Sequence, residues 1–247
     1  MILPFGLFTQ VYLVNQSTIL QDTDLTTITS AIISSLVDFC SAWQLQSVVV
    51  TSYGKGKTVP AGGMKVYILD NPDVEGAYGY HTFENNFPLA KVFVTTIQQA
   101  GGEILYSPTT NLSVAQVISH EIFEMLANTI CNAWWINDNG TAFYAAEVCD
   151  PVQGNVVPIV VNGKTVGTND YILPAWSNSQ ATSGPYNKLN TLNAPMTVDK
   201  KGYVIKVSVG TASYVFGNEV DQDTKNKQNV SLKADKRFSS LIHVSVL

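Results

Sequence analysis

Arginine is almost missing from this chain: Arg237 is the single one among 247 residues. Arginine supplies the planar fork that grips phosphates and guanine edges. With a net charge of −5 as well, neither nucleic acid nor an anionic membrane surface is an expected partner. Charge of either sign is scarce, at 13% of residues. The three cysteines, Cys40, Cys131 and Cys149, make neither a CxxC pair nor a disulfide framework. No run of eighteen apolar residues occurs, so no bilayer span is expected. The apolar start from Met1 to Leu7 has no cationic lead and no clear cleavage site, so no signal peptide is expected. The four Asn-x-Ser/Thr sequons, such as Asn139-Gly140-Thr141, then carry little weight. Together these absences suit a protein made and kept in a cytoplasm, or packed into a particle assembled there.

What is present is apolar and patterned. Hydrophobic residues make up 45% of the chain, enough for a large core without disulfides or a structural metal. Leu7–Val14 reads as a first strand. Leu25, Ile28, Ile32, Leu36, Phe39 and Trp43 then recur at helical spacing, a long amphipathic helix with Asp22 or Asp24 at its cap. Strands are expected at 47–53, 64–70 and 90–97. Gly76-Ala77-Tyr78-Gly79-Tyr80-His81 is glycine-punctuated and then extended. Val114–Asn128 reads as a second helix, with Asn111 or Ser113 as its cap. Residues 133–146 read as a hairpin turning tightly at Asn139-Gly140. Strands at 156–161, 164–174 and 202–216 and a polar loop at 177–195 follow. The sequence divides as a main domain over 1–217 and a polar linker with a β appendage over 218–247. Five of the 14 basic residues lie between 225 and 237.

The second helix carries the chemistry. Its core reads Ser119-His120-Glu121-Ile122-Phe123-Glu124-Met125. Residues four apart share a helix face, so His120 and Glu124 point the same way, while Ile118, Ile122 and Met125 face elsewhere. Glu121 lies beside that face, within reach of a water but not easily of the ion. This is the logic of H-E-x-x-H zinc hydrolases with glutamate as the second ligand. An exposed His–Glu pair at this spacing would add only a few tenths of a kcal/mol. Here the flanks are apolar, and burying two carboxylates without a cation is costly. A divalent metal, zinc first, is the expected cofactor. Glutamate makes the site harder and more anionic, which widens the range of ions it suits.

A third ligand must come from elsewhere, and three residues are candidates. Glu147 and Asp150 lie in Ala146-Glu147-Val148-Cys149-Asp150-Pro151. A glutamate some twenty residues past the helix, with an aspartate nearby to orient a ligand histidine, is how one zincin class completes its site. Strand alternation would put Glu147 and Asp150 on opposite faces, so the strand must end near Glu147 for both to converge. His81, at the end of the glycine-rich run, is the third candidate, as a ligand or as an oxyanion stabiliser. His243 reads as structural, and Cys149 as a small buried hydrophobe.

The glycine-rich run to His81, the strand Ala90–Val94, His120-Glu121-x-x-Glu124-Met125-Leu126, Glu147-Val148-Cys149-Asp150-Pro151 and Tyr171-Ile172-Leu173-Pro174-Ala175-Trp176 together resemble a family of uncharacterised bacterial and tailed-phage proteins. That family bears a zincin-like metalloprotease motif, and the resemblance covers roughly residues 60–200. It implies an α/β or α+β fold with a mixed twisted sheet, a long N-terminal helix, an active-site helix packed on the sheet, and an edge strand, 90–97 or 64–70, that pairs with substrate. It implies a metal-dependent hydrolase acting on peptides or proteins, with Glu121 as general base. The alternative is a virion structural or decoration protein that uses the fold as a scaffold and binds other virion proteins. Glu124 departs from the proven zincins.

Overall fold

The computed structural model describes residues 8–222 and 225. In chain order the elements are β1 (Gln10–Asn15), α1 (Asp22–Ala42), β2 (Val49–Tyr53), β3 (Met64–Leu69), β4 (Gly79–Glu84), β5 (Phe87–Phe93), α2 (Val94–Gln99), α3 (Val114–Ala127), β6 (Trp134–Ile136), β7 (Ala142–Ala145), a 3-10 turn (Asp150–Val152), β8 (Val156–Val161), β9 (Lys164–Asn169), α4 (Pro174–Ser177), β10 (Tyr203–Ser208) and β11 (Thr211–Phe216). The fold is α+β, with a long N-terminal helix. The chain forms two compact units. The first holds the chain up to Ile130 and Asn155–Asp170; the second holds Cys131–Gly154 and Tyr171 onward. The expected appendage from 218 onward, including His243 and Arg237, falls almost wholly outside the described residues.

The first unit is built on a five-stranded sheet in the order β2-β1-β3-β5-β4. The first four strands run parallel and β4 runs antiparallel to β5. Register puts Val11, Leu13, Met64, Val66, Ile68, Ala90 and Val92 on one face, and all are fully buried. Gly79 and His81 pair with Val92 and Ala90, so they share that face. α3 packs on it, against β3, β4 and β5. α1 buries Leu25, Ile28, Ile32, Leu36 and Phe39, and the Phe39 ring stacks on Phe123 of α3 with centroids 4.6 Å apart. The β8–β9 hairpin lies against both helices.

Several sequence expectations change here. The strand expected over 90–97 is β5 followed by a helix: its ladder with β3 ends at Leu69↔Phe93, because Asp70-Asn71-Pro72 turns the partner away. Thr95 N then donates to Asp70 O at 2.9 Å. The sheet edges are β2 and β4, so neither 64–70 nor 90–97 is an edge; both are interior. β9 stops at Asn169, where its partner β8 begins, and not at 174. α1 is the one helix among the described residues long and apolar enough to cross a membrane, with a mean hydropathy of 1.4 over its best window. No unbroken apolar run revealed this, because Thr and Ser alternate with the aliphatics. In the fold, Thr26, Thr27, Thr29, Ser30 and Ser34 each donate to the carbonyl four residues back, which satisfies their hydroxyls within the helix.

The second unit has a four-stranded antiparallel sheet in the order β11-β10-β7-β6. The β6–β7 hairpin forms as expected, with its connection running from Asn137 to Thr141. Among its residues only Gly140 has positive φ, at 68°, and the Asn137 side chain accepts from Thr141 N and Ala142 N. Trp176 is fully buried, and its Nε1 donates to Thr197 O at 2.6 Å.

Candidate metal centre

The rotational phase of α3 is set at its start. The Ser113 hydroxyl accepts from Gln116 N at 3.1 Å, which satisfies one of the free N–H groups of the first turn. Asn111, the other expected cap, instead takes a left-handed conformation with φ of 56°. Deeper in the helix, Ser119 Oγ donates to Gln116 O and accepts from Asn169 N, each at 2.8 Å. Gln116 Nε2 donates to Asn169 Oδ1 at 2.5 Å. This buried polar ladder ties β9 to one side of α3. Thirteen of its 14 residues are buried, the polar Gln116, Ser119, Glu121 and Glu124 among them. His120 is the exception.

The opposite side of α3 meets β4. His81 Nδ1 lies 3.1 Å from Glu121 Oε2 and 3.4 Å from Glu124 Oε2. His120 Nε2 lies 3.2 Å from the same Glu124 oxygen. Glu124 Oε2 therefore sits between two imidazoles. The side chains are 9% exposed for His81, 6% for Glu121, 4% for Glu124 and 13% for His120. Donor atoms of His81, Glu121 and Glu124 all fall within 4.8 Å of one another. The sequence put Glu121 beside the expected ligands; in the structure its carboxylate meets His81 at 3.1 Å.

The donor chemistry fits a divalent cation. Zinc binds imidazole nitrogen and carboxylate oxygen at about 2.0–2.2 Å, so neighbouring donors in a tetrahedral shell lie about 3.3–3.4 Å apart. The contacts made by Glu124 Oε2, at 3.2 and 3.4 Å, match that spacing. Two glutamates 5% and 3% exposed also have a stabilising reason to hold a cation, because buried carboxylates otherwise pay heavily for lost hydration.

Glu147 and Asp150 belong to the second unit, where they are 3% and 6% exposed. β7 ends at Ala145 and Asp150 opens the 3-10 turn, so strand alternation does not govern the two acids. Cys149 is buried as a thiol.

Sequence reading missed two features of the site. One is the hairpin that makes β4 an edge strand: Asn85 and Asn86 have φ of 52° and 66°, the left-handed pair that a tight turn requires, and the Asn-Asn pair was its signal. The other is the polar cluster on the far face of β4. There Lys91 Nζ lies 2.5 Å from Asp73 Oδ2 and Tyr80 Oη donates to the same oxygen at 3.0 Å. The Lys91 hydrogen bond holds the Asp73 carboxyl below its usual range. No protein-family model, curated protein or solved structure matches the chain.

Proposed function

We propose that this chain is a metal-dependent hydrolase of the zincin-like kind, acting on peptide bonds, with its ion held by His120 and Glu124. The observation that carries the reading is the single Glu124 oxygen shared by two imidazoles at 3.2 and 3.4 Å. Imidazole nitrogen and carboxylate oxygen, four residues apart on one helix, are donors that zinc peptidases use. A divalent cation bound there supplies Lewis acidity and an acidified water. Glu121 accepts a proton from the attacking water and returns it to the leaving amine, a role commonly worth roughly 10²–10⁴ in rate. His81, 3.1 Å from its Oε2, orients that carboxylate. β4 is a sheet edge next to α3, and an extended peptide would add there as a further strand. Support comes from the mixed sheet, the long first helix and the H-E-x-x-E helix packed on the sheet.

The test is zinc calorimetry and hydrolysis of an unstructured protein by wild type and Glu121→Gln. The reading expects zinc affinity kept within a few-fold and hydrolysis abolished in the variant. A large loss of zinc affinity in Glu121→Gln would instead make Glu121 a ligand, as its clustering with His81 and Glu124 allows. A zinc-loaded wild type that cleaves nothing in a broad peptide and ester library would sink the hydrolase.

The low exposure of all four side chains, 4–13%, favours a second reading. A closed site orders a scaffold rather than admitting substrate, and the chain then serves as a virion structural or decoration protein. Retained particle assembly in Glu121→Gln, together with metal-dependent stability and no hydrolysis, would select this reading.

A further inference from the structure

Gly79 opens β4 and sits two residues before His81 on the same sheet face. Its φ is not positive, so backbone conformation does not call for glycine. Space does. A Cβ at this position would lie 2.8 Å from Val117 Cγ1, 2.9 Å from Glu121 Oε1 and 3.0 Å from Lys91 O. Two of the three neighbours belong to α3, and one of those is the carboxylate whose other oxygen meets His81. Glycine inside a strand weakens the strand and marks close approach of another group. Here the approaching group is a carboxyl oxygen of a side chain 5% exposed and part of the candidate centre.

We infer that Gly79 is a positioning residue for Glu121: the bare backbone of β4 leaves the space in which the carboxylate lies, and so fixes its contact with His81. The contact stands on geometry alone; its meaning for catalysis rests on the hydrolase reading above. Gly79→Ala places a methyl against Glu121 Oε1. The carboxyl group has to shift to make room, which disturbs the 3.1 Å contact of its other oxygen with Nδ1. A plain packing role would act differently, through Val117, by pushing the whole helix off the strand.

The experiment separates these. Imidazole nitrogen resonances of His81 are recorded by NMR in chelator-treated protein for wild type, Glu121→Gln, Gly79→Ala, Val117→Ala and the double variant Gly79→Ala/Val117→Ala. Zinc affinity is measured in parallel. The inference expects the Nδ1 resonance of Gly79→Ala to move in the same direction as in Glu121→Gln. It expects that shift to persist in the double variant, and zinc affinity to stay within a few-fold of wild type, as in Glu121→Gln. A wild-type His81 resonance in Gly79→Ala overturns it. So does restoration by Val117→Ala, which would assign the effect to helix packing. Loss of folding in both Gly79 variants would also overturn it, because a positioning role leaves the β4–β5 ladder intact. If wild type takes up no zinc, the hydrolase reading fails while the His81 resonance still decides the role of Gly79.

Discussion

At the residue scale, the candidate centre separates groups by what each touches. Glu124 contacts both imidazoles, so Glu124→Ala removes the oxygen that they share. Its expected outcome is a loss of zinc affinity beyond that of either His81→Ala or His120→Ala, read by calorimetry. A different residue governs acid stability. Burial pushes the Asp70 carboxyl up, but hydrogen bonds from the Ser17 and Thr18 hydroxyls and from backbone N–H groups outweigh this and hold it at about 2, well below the usual carboxylate range. The folded value is below the unfolded one, so its contribution is fully present above about pH 4 and is lost as pH falls through about 2. In urea titrations, Asp70→Asn should lower stability at pH 6 and should flatten the decline between pH 4 and pH 2. An unchanged decline would remove Asp70 from the account.

At the element scale, long periodic helices were legible and strand ends were not. The spacing of Leu25, Ile28, Ile32, Leu36 and Phe39 marked α1, and each of these is buried. His120 and Glu124 were expected on one face of α3 and are 3.2 Å apart. Strand limits depend on partners that a single sequence does not show. β5 ends where β3 turns away, and Asn169 leaves β9 to bond Gln116 of α3. Which strand forms the edge is likewise a property of sheet order. Two predictions follow at this scale. Ser113→Ala removes the α3 cap and should cost about 1 kcal/mol, lowering the melting temperature by about 2–4 °C with zinc affinity kept. Phe39→Ala deletes a ring that is fully buried against Phe123 and should cost about 3–5 kcal/mol, seen as a lower urea midpoint. A loss under about 1 kcal/mol would mean the stack is not part of the core.

At the scale of the whole molecule, the chain leaves its first unit after Ile130 and returns to it for Asn155–Asp170 before the second unit resumes. No composition shift marks any of the three crossings, and for that reason the sequence suggested one long domain instead. The returning hairpin supplies Asn169 and Thr168, which bond Gln116 and Ser35 of the two helices. The helix with the candidate centre is thus held partly by residues some fifty positions downstream. A bound cation would stabilise this arrangement by mass action, so a chelator should lower the melting temperature of wild type but not of Glu124→Ala. The most direct test of the centre itself is metal content. Protein purified without added metal is reconstituted with one equivalent of zinc, passed through a desalting column and analysed for zinc per chain. The account predicts one zinc per chain for wild type and none for Glu124→Ala at matched folding; equal zinc in the two proteins would contradict it.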